Sequence, residues 1–414
     1  MWKPELLAPA KNIERLKVAI AYGADAVYLG GQKYGLRARA DNFTDYDLEK
    51  GVIFAHRHNA KVYVTLNAFL HDADFEGLEK YCQFLESINV NGVIVSDLGV
   101  LRVIRNNSNL NIHLSTQASC LNSYSACLWQ EMGVKRLIVG RELSIAEAGL
   151  LLRSGIEVEM FAHGAMCMAY SGHCTISNFT AGRDSNRGGC IQSCRLPYHL
   201  QSHTKEQGWE NSKQNDVVTF MSSKDLWGIY QIGEFFKHQI CCLKIEGRMK
   251  SSFYVALTCK IYRQLIDAYA VGRLSTDMLK SAAAELQSIP HRDYVSGSLE
   301  TPAGSDSVFG LSGINTGSQQ YLGIVMDSTP QEIILRLVEP LSVKDEIEVI
   351  PFQGEPIRWK VNQLFSVTGE RLESMRQDSI VRIPKIDAST RLHDIAKLNV
   401  VRVAQVVKAV ANAV

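Results

Sequence analysis

No stretch of this 414-residue chain approaches the roughly 18 uninterrupted apolar residues that a membrane-crossing helix needs. The opening MWKPELLAPAKNIERLK also lacks the charged segment and long apolar run of a secretion signal, so a cytosolic (cytoplasmic) protein is expected. Charge of one sign is missing too. The 44 basic residues face 43 acidic ones, a formal +1, so no bulk attraction draws polyanions to the chain and any nucleic-acid contact must come from a local basic patch. Two hydrolase signatures are absent, the HExxH of zinc peptidases and the GxSxG elbow of serine hydrolases. A hydrolase reading is left with cysteine–histidine chemistry, Cys167 or Cys174 beside His163 or His173, and one nucleophile does not explain four clustered cysteines.

What the chain does have is size, alternation and cysteine. With 46% apolar and 21% charged residues it can bury a large core, and one large domain plus a smaller one is expected. Apolar runs recur at ADAVYLG (24–30), KVYVTLN (61–67), NGVIVSD (91–97), NIHLSTQA (111–118), KRLIVGREL (135–143) and EVEMFAHG (157–164), after a first at PELLAPA; each reads as a buried strand. Stretches with helical spacing lie between them, several ending at glycine. With an eighth strand at CCLKIEG (241–247), the alternation predicts a TIM-like (β/α)8 barrel over 1–317; an open doubly wound sheet is the alternative. The rhythm breaks after Gly164, where a cysteine-bearing insertion of about 165–239 belongs over the catalytic face. Beyond about 318, QYLGIVMDS, EIILRLVE, DEIEVIPF and IRWKVNQLF predict short antiparallel strands, and so a small C-terminal β-barrel within 318–414.

Ten cysteines in a reducing compartment seldom form structural disulfides, so clustered ones point to metal or redox chemistry. Cys167, Cys174, Cys190 and Cys194 fall within 28 residues among several glycines, and four soft sulfur donors suit either a tetrahedral zinc ion or an iron–sulfur cluster. Cys82, Cys120, Cys127, Cys241, Cys242 and Cys259 read as small buried hydrophobes. Polar residues expected near strand ends are Glu5, Asn67, Asp97, His113, Ser115, Gln117, Arg141, Glu142, Glu159, His163, Lys244, Glu246 and Arg248. His113, Arg141, Glu159, His163, Glu246 and Arg248 are the catalytic candidates among them. The bland alternative is that Glu159 and Glu246 pair with Arg141, Lys244 or Arg248 to stiffen the barrel wall. A local basic surface for RNA draws on Arg37, Arg39, Arg183, Arg187, Arg195, Lys244, Arg248 and Lys250.

EMFAHGAMCMAYSGHCTISNF, LKIEGRMKSSFYV (243–255), KPELLAPAKNIERLKVAIAYGADAVYLGGQKYGLRAR and IHLSTQA together resemble the collagenase-like peptidase family U32, and within it the tRNA hydroxylation proteins of the TrhP type. The resemblance implies a four-iron, four-sulfur (4Fe-4S) cluster on Cys167, Cys174, Cys190 and Cys194. It also implies tRNA as partner, oxygen-independent hydroxylation of the wobble uridine to 5-hydroxyuridine, and prephenate as the small-molecule hydroxyl donor. Related members hydroxylate a ribosomal RNA cytidine or a ubiquinone precursor, and some suggest Cys242 as a ligand in place of Cys194. A collagenase-like peptidase and a noncatalytic, metal-stabilised RNA-binding protein are the rival functions.

Overall fold

Eight of the apolar runs become parallel strands because each is Val/Ile/Leu-rich enough to be buried on both faces. They are β1 (Glu5–Pro9), β2 (Ala26–Leu29), β3 (Lys61–Leu66), β4 (Gly92–Val95), β5 (Ile112–Leu114), β6 (Val134–Ile138), β7 (Glu157–Ala165) and β8 (Cys242–Ile245). This computed structural model describes residues 2–36, 42–199, 217–301, 317–385 and 395–404. Each strand pairs with its successor, and β8 pairs with both β7 and β1, with Leu243 opposite Met160 on one side and Leu6 on the other. That double pairing closes a (β/α)8 barrel and rules out the open sheet.

The crossovers are α1 (Ile13–Ala21), α2 (Asp45–Arg57), α3 (Leu78–Ser87), α4 (Leu98–Asn107), α5 (Ser123–Glu131) and α6 (Ile145–Leu151). Local chemistry sets where several begin. Asn12 caps α1 by accepting from Arg15 N, while Thr44 with Asp47 and Ser144 with Glu147 form reciprocal capping boxes on α2 and α6. Asp97 caps α4, its Oδ1 accepting from Gly99 N at 2.7 Å and Val100 N at 3.1 Å, so this strand-end carboxylate serves the helix and not the cavity. Gly23, at φ +100°, turns the chain out of α1 in a conformation that L side chains rarely adopt.

After β7 the insertion contains α7 (Ile176–Ala181) and returns through a short strand, Asp225–Trp227, antiparallel to the end of β7 with Leu226 opposite Gly164. Then α8 (Ile232–Lys237) leads into β8, and α9 (Ser252–Ala270) and α10 (Thr276–Ser288) follow it. Nearly every residue of α9 is buried, because the helix packs on α1, α8, α10 and β1 and also meets the C-terminal sheet. Phe253 of α9 stacks on Tyr321 with centroids 5.5 Å apart.

The C-terminal part is a curled, eight-stranded antiparallel sheet: β9 (Tyr321–Ser328), β10 (Glu332–Leu337), β11 (Glu346–Ile350), β12 (Ile357–Lys360), β13 (Leu364–Ser366), β14 (Arg371–Leu372), β15 (Ile380–Pro384) and β16 (Val400–Val403). Its order is β12-β11-β16-β9-β10-β15-β13-β14. Leu322, Leu335, Val349, Trp359, Val381 and Val401 build a core of their own beneath it. A seam joins it to the barrel: Tyr22 donates its hydroxyl to Ile350 O at 2.6 Å and accepts from Val400 N at 2.9 Å. Arg402 adds an ion pair to Glu285 of α10 across the seam at 2.6 Å, and is itself held within the sheet by Glu348, also at 2.6 Å. Among the described residues, no helix is long and apolar enough to cross a membrane.

Candidate functional site

The barrel strands deliver their C-terminal ends to one cavity of about 410 Å³, and Cys167, Cys174, Cys190 and Cys194 all line it. Gly164 starts the turn that brings them there. It sits at φ +104°, and a Cβ would lie 2.3 Å from Glu246 O, so the close approach of β7 to the end of β8 demands glycine. Polar side chains then staple the insertion down. Glu142 accepts from Ser171 N at 2.6 Å, and Asn186 brackets Cys174, accepting from its N–H at 3.4 Å and donating to its carbonyl at 3.2 Å. Ser193 joins Thr180 at 2.6 Å, and Arg195 donates to Ser223 O at 2.6 Å and Met166 O at 2.8 Å.

Burial pushes the Cys194 thiol above its ordinary range; Arg195 opposes the rise, and the neighbouring Cys167, Cys190 and Cys174 add to it. Among the described residues no three histidine, cysteine or carboxylate side chains close to the spacing of a single metal ion. Cys242 lies elsewhere, fully buried in the wall with Glu5 and Glu159 as register partners, so it does not stand in for Cys194 at the cavity. Of the cysteines expected to be buried, Cys82, Cys120, Cys242 and Cys259 are; Cys127 is exposed and Cys241 half-buried.

Cations and hydrogen-bond donors line the same cavity. Arg141, Lys244, Glu246 and Arg248 line the cavity with Tyr28, Phe161 and Thr65. Arg141 sits over Phe161, its Cζ 3.8 Å from the ring centroid, and its buried Nε has no hydrogen-bond partner among the described residues. Thr65 Oγ1 is buried and equally unpartnered. Tyr28 donates its hydroxyl to Glu246 Oε2 at 2.9 Å, while Lys244 Nζ rides 4.4 Å above the Tyr28 ring centroid. Burial, then the Glu246 carboxylate, holds the Tyr28 phenol far above its ordinary range, so it remains a donor. Arg248 donates to Asn42 at 2.8 Å. Tyr28 and Thr65 were not singled out from the sequence; the only signal was their place near the ends of apolar strands.

His113, Glu159 and His163 lie outside the cavity lining. Glu159, fully buried, holds Lys244 at 2.9 Å and Arg136 at 3.4 Å, and Arg136 also reaches Glu5 at 2.8 Å, so this carboxylate braces the barrel interior. Glu5 stands at the start of β1, toward the opposite barrel end. His113 packs on Tyr63 with centroids 4.6 Å apart, and burial, with Arg136, Lys244 and Lys61 nearby, keeps its imidazole neutral far below the usual range. His163 faces out of the wall among Tyr254, Tyr262 and Tyr294, where burial lowers its pKa to about 3. A His173 ring nitrogen contacts Gln117 O. Neither histidine of the hydrolase reading therefore forms a hydrogen bond to a cysteine among the described residues.

Several expected RNA-binding cations are committed internally. Arg187 pairs with Asp74 at 2.7 Å, Arg195 clamps the insertion, and Lys250 is partly buried over Tyr254. Arg37 and Arg39 lie outside the described residues.

The model of peptidase family U32 matches residues 11–308. A tRNA hydroxylation protein P1 of Bacillus subtilis (strain 168) is 40% identical over 379 residues, covering 90% of either chain. A tRNA hydroxylation protein P of Escherichia coli (strain K12) is 31% identical over 90% of this chain and 91% of its own length. The 23S rRNA 5-hydroxycytidine C2501 synthase of Escherichia coli (strain K12) is 31% identical over 88% of this chain and 55% of its own. With the family match running through the barrel and its cysteine insertion, and relatives this similar along nearly the whole sequence, the chain belongs to peptidase family U32.

Proposed function

We propose that this protein is an RNA hydroxylase, an oxygen-independent tRNA uridine 5-hydroxylase that forms 5-hydroxyuridine at the wobble position with prephenate as hydroxyl donor. The observation that carries the reading is the convergence of four thiols with Arg141, Lys244 and Arg248 on one cavity at the barrel's C-terminal mouth. The names of relatives that act on tRNA and on a ribosomal cytidine support RNA as the substrate class. Four cysteines are the donor set a 4Fe-4S cluster takes, and Cys167, Cys174, Cys190 and Cys194 would hold it in this reading. When bound, the cluster supplies electron transfer beside the substrate.

The chain's own residues do the rest. Arg141 offers a planar fork suited to one carboxylate of a dicarboxylate donor, and Lys244 a point charge suited to the other. The donor's C–O bond breaks as the C5–O bond forms, and the donor carbon takes up the two electrons. Glu246, fixed through Oε2 by the Tyr28 hydroxyl, takes the C5 proton on Oε1 and returns it to the donor. The target uridine must be splayed from its loop to enter, as recognition of single-stranded RNA generally requires. Anaerobic purification with iron, sulfide and visible-absorption analysis, followed by incubation with tRNA and prephenate and mass spectrometry of the nucleosides, tests the proposal. A brown protein that makes 5-hydroxyuridine is expected; a colourless protein with stoichiometric zinc and no modified nucleoside refutes it.

A further inference from the structure

We infer that Gln117 is a specificity-determining residue that reads the 4-carbonyl of the target base and so selects uridine over cytidine. The inference rests on the RNA hydroxylase reading above. Gln117 lies on the short turn Thr116–Ala118 after β5, is 7% exposed, and lines the cavity. Its two amide ends are not equivalent. Leu36 N donates to Asn67 Oδ1 at 3.4 Å, which leaves Asn67 Nδ2 to donate to Gln117 Oε1 at 3.0 Å. Ser115 Oγ donates to the same oxygen at 2.8 Å and Ser96 Oγ at 3.4 Å.

Asn67 Nδ2 fixes the sense of the Gln117 amide, because the flipped form would set NH2 against NH2, whereas the serine hydroxyls fit either sense. Gln117 Nε2 has no hydrogen-bond partner among the described residues. The backbone is held as firmly: Gln117 O contacts the His173 ring, and Ser119 closes the turn at φ +51°. Thr65 Oγ1, also unpartnered, lines the same cavity. The outcome is a rigid wall that presents donors beside the cysteine insertion, where Gly172 leaves room for the Gln117 side chain.

Uracil and cytosine differ at position 4, next to the carbon to be hydroxylated: uracil carries a carbonyl acceptor there and cytosine an amino donor. The Gln117 amide completes a hydrogen bond with the first and faces a second donor in the other. An unpaired buried donor costs more than the bond itself contributes, so the discrimination is on the order of tenfold or more.

The test uses the anaerobically purified full chain and anticodon stem–loops with uridine, 4-thiouridine or cytidine at the target position. Affinity is read by fluorescence anisotropy, and product by mass spectrometry. The wild type is expected to favour uridine over both analogues by on the order of tenfold. Gln117→Asn, which withdraws the amide, should lose the preference, and Gln117→Glu at pH 8, which presents an acceptor, should shift it toward cytidine. Equal wild-type affinity for uridine and 4-thiouridine overturns the inference even if neither variant folds, as does an unchanged uridine-to-cytidine ratio in a folded Gln117→Glu. A wild type that neither binds nor modifies any loop refutes the RNA reading itself.

Discussion

Replacing Arg141 by lysine keeps a positive charge in the cavity while removing the planar fork. The guanidinium lies 3.8 Å from the Phe161 centroid and forms no ion pair with a carboxylate among the described residues, so its structural role is limited to stacking. A cation on an aromatic face contributes about 0.5–2 kcal/mol, and lysine retains part of that. In a chain of this size the melting temperature should therefore fall by roughly 2 °C or less. Binding should suffer far more. Losing one of two charge-assisted hydrogen bonds to a carboxylate costs about 1.5–3 kcal/mol, a rise of roughly 10- to 150-fold in the prephenate needed for half-maximal rate. Hydroxylation is followed against prephenate concentration on protein normalised for folded fraction and iron, with thermal melting on the same preparation. A variant that melts many degrees lower yet keeps its prephenate dependence would falsify the donor-site role and leave Arg141 as a brace for Phe161.

Alanine at Cys167, Cys174, Cys190 or Cys194 should each cost most of the bound iron, whereas Cys242→Ala, deep in the wall, should keep it; iron per chain after anaerobic purification decides. Lys244→Met leaves the fully buried Glu159 with only Arg136 at 3.4 Å among the described residues and should destabilise the fold by about 3–5 kcal/mol in urea titrations. Adding Glu159→Gln should recover most of that loss, and strict additivity of the two changes would count against the pairing. Arg183→Glu should weaken tRNA binding and lower the slope of log K against log salt by about one or more; an unaltered slope moves the RNA-reading surface elsewhere. Burial opposes ionisation of Glu5, but Arg136 and Lys61 outweigh it and hold its carboxyl below the usual range. Its contribution to stability is thus complete above the unfolded pKa of about 4.3 and is lost as pH falls through the lower folded value. Lys61→Met should shift the acid-unfolding midpoint upward, and an unmoved midpoint would contradict this balance.

The barrel was legible because strands buried on both faces must be written as apolar runs, and all eight expected runs contain a strand. The place of the insertion was legible too, since the strand–helix rhythm breaks after Gly164, and its four clustered cysteines do line the cavity. Which way individual side chains point was harder to read. Alternation along β7 sends Glu159 and Phe161 inward, and simple parity would send His163 after them. Between Lys244 and Ile245 the register against β8 jumps from Phe161 to His163, and that irregularity reverses the parity so that His163 faces α9. Asp97 followed a strand and read as a site carboxylate, but it also preceded a helix, and the helix took it as its cap. The three-residue strand Asp225–Trp227 is too short to leave a period. β16 hides in an Ala/Val-rich tail whose composition matches helix and strand equally well.

The place of β16 in its sheet has a consequence for biosynthesis. It lies between β11 and β9, yet it is translated after every other strand of that sheet. About 155 residues separate β8 from β16, so at roughly 5–20 residues per second the barrel's last strand precedes the sheet's centrepiece by roughly 8 to 30 s. Once β15 has been made, and until Val400 follows 16 residues after Pro384, the nascent sheet exists as two halves, the β11–β12 hairpin and the β9–β10–β15–β13–β14 group, each with an unpaired edge where β16 belongs. Exposed edges of this kind recruit strands from other chains. A stop codon or protease cut shortly before Val400 makes the interval permanent, and such a product should aggregate through its C-terminal half.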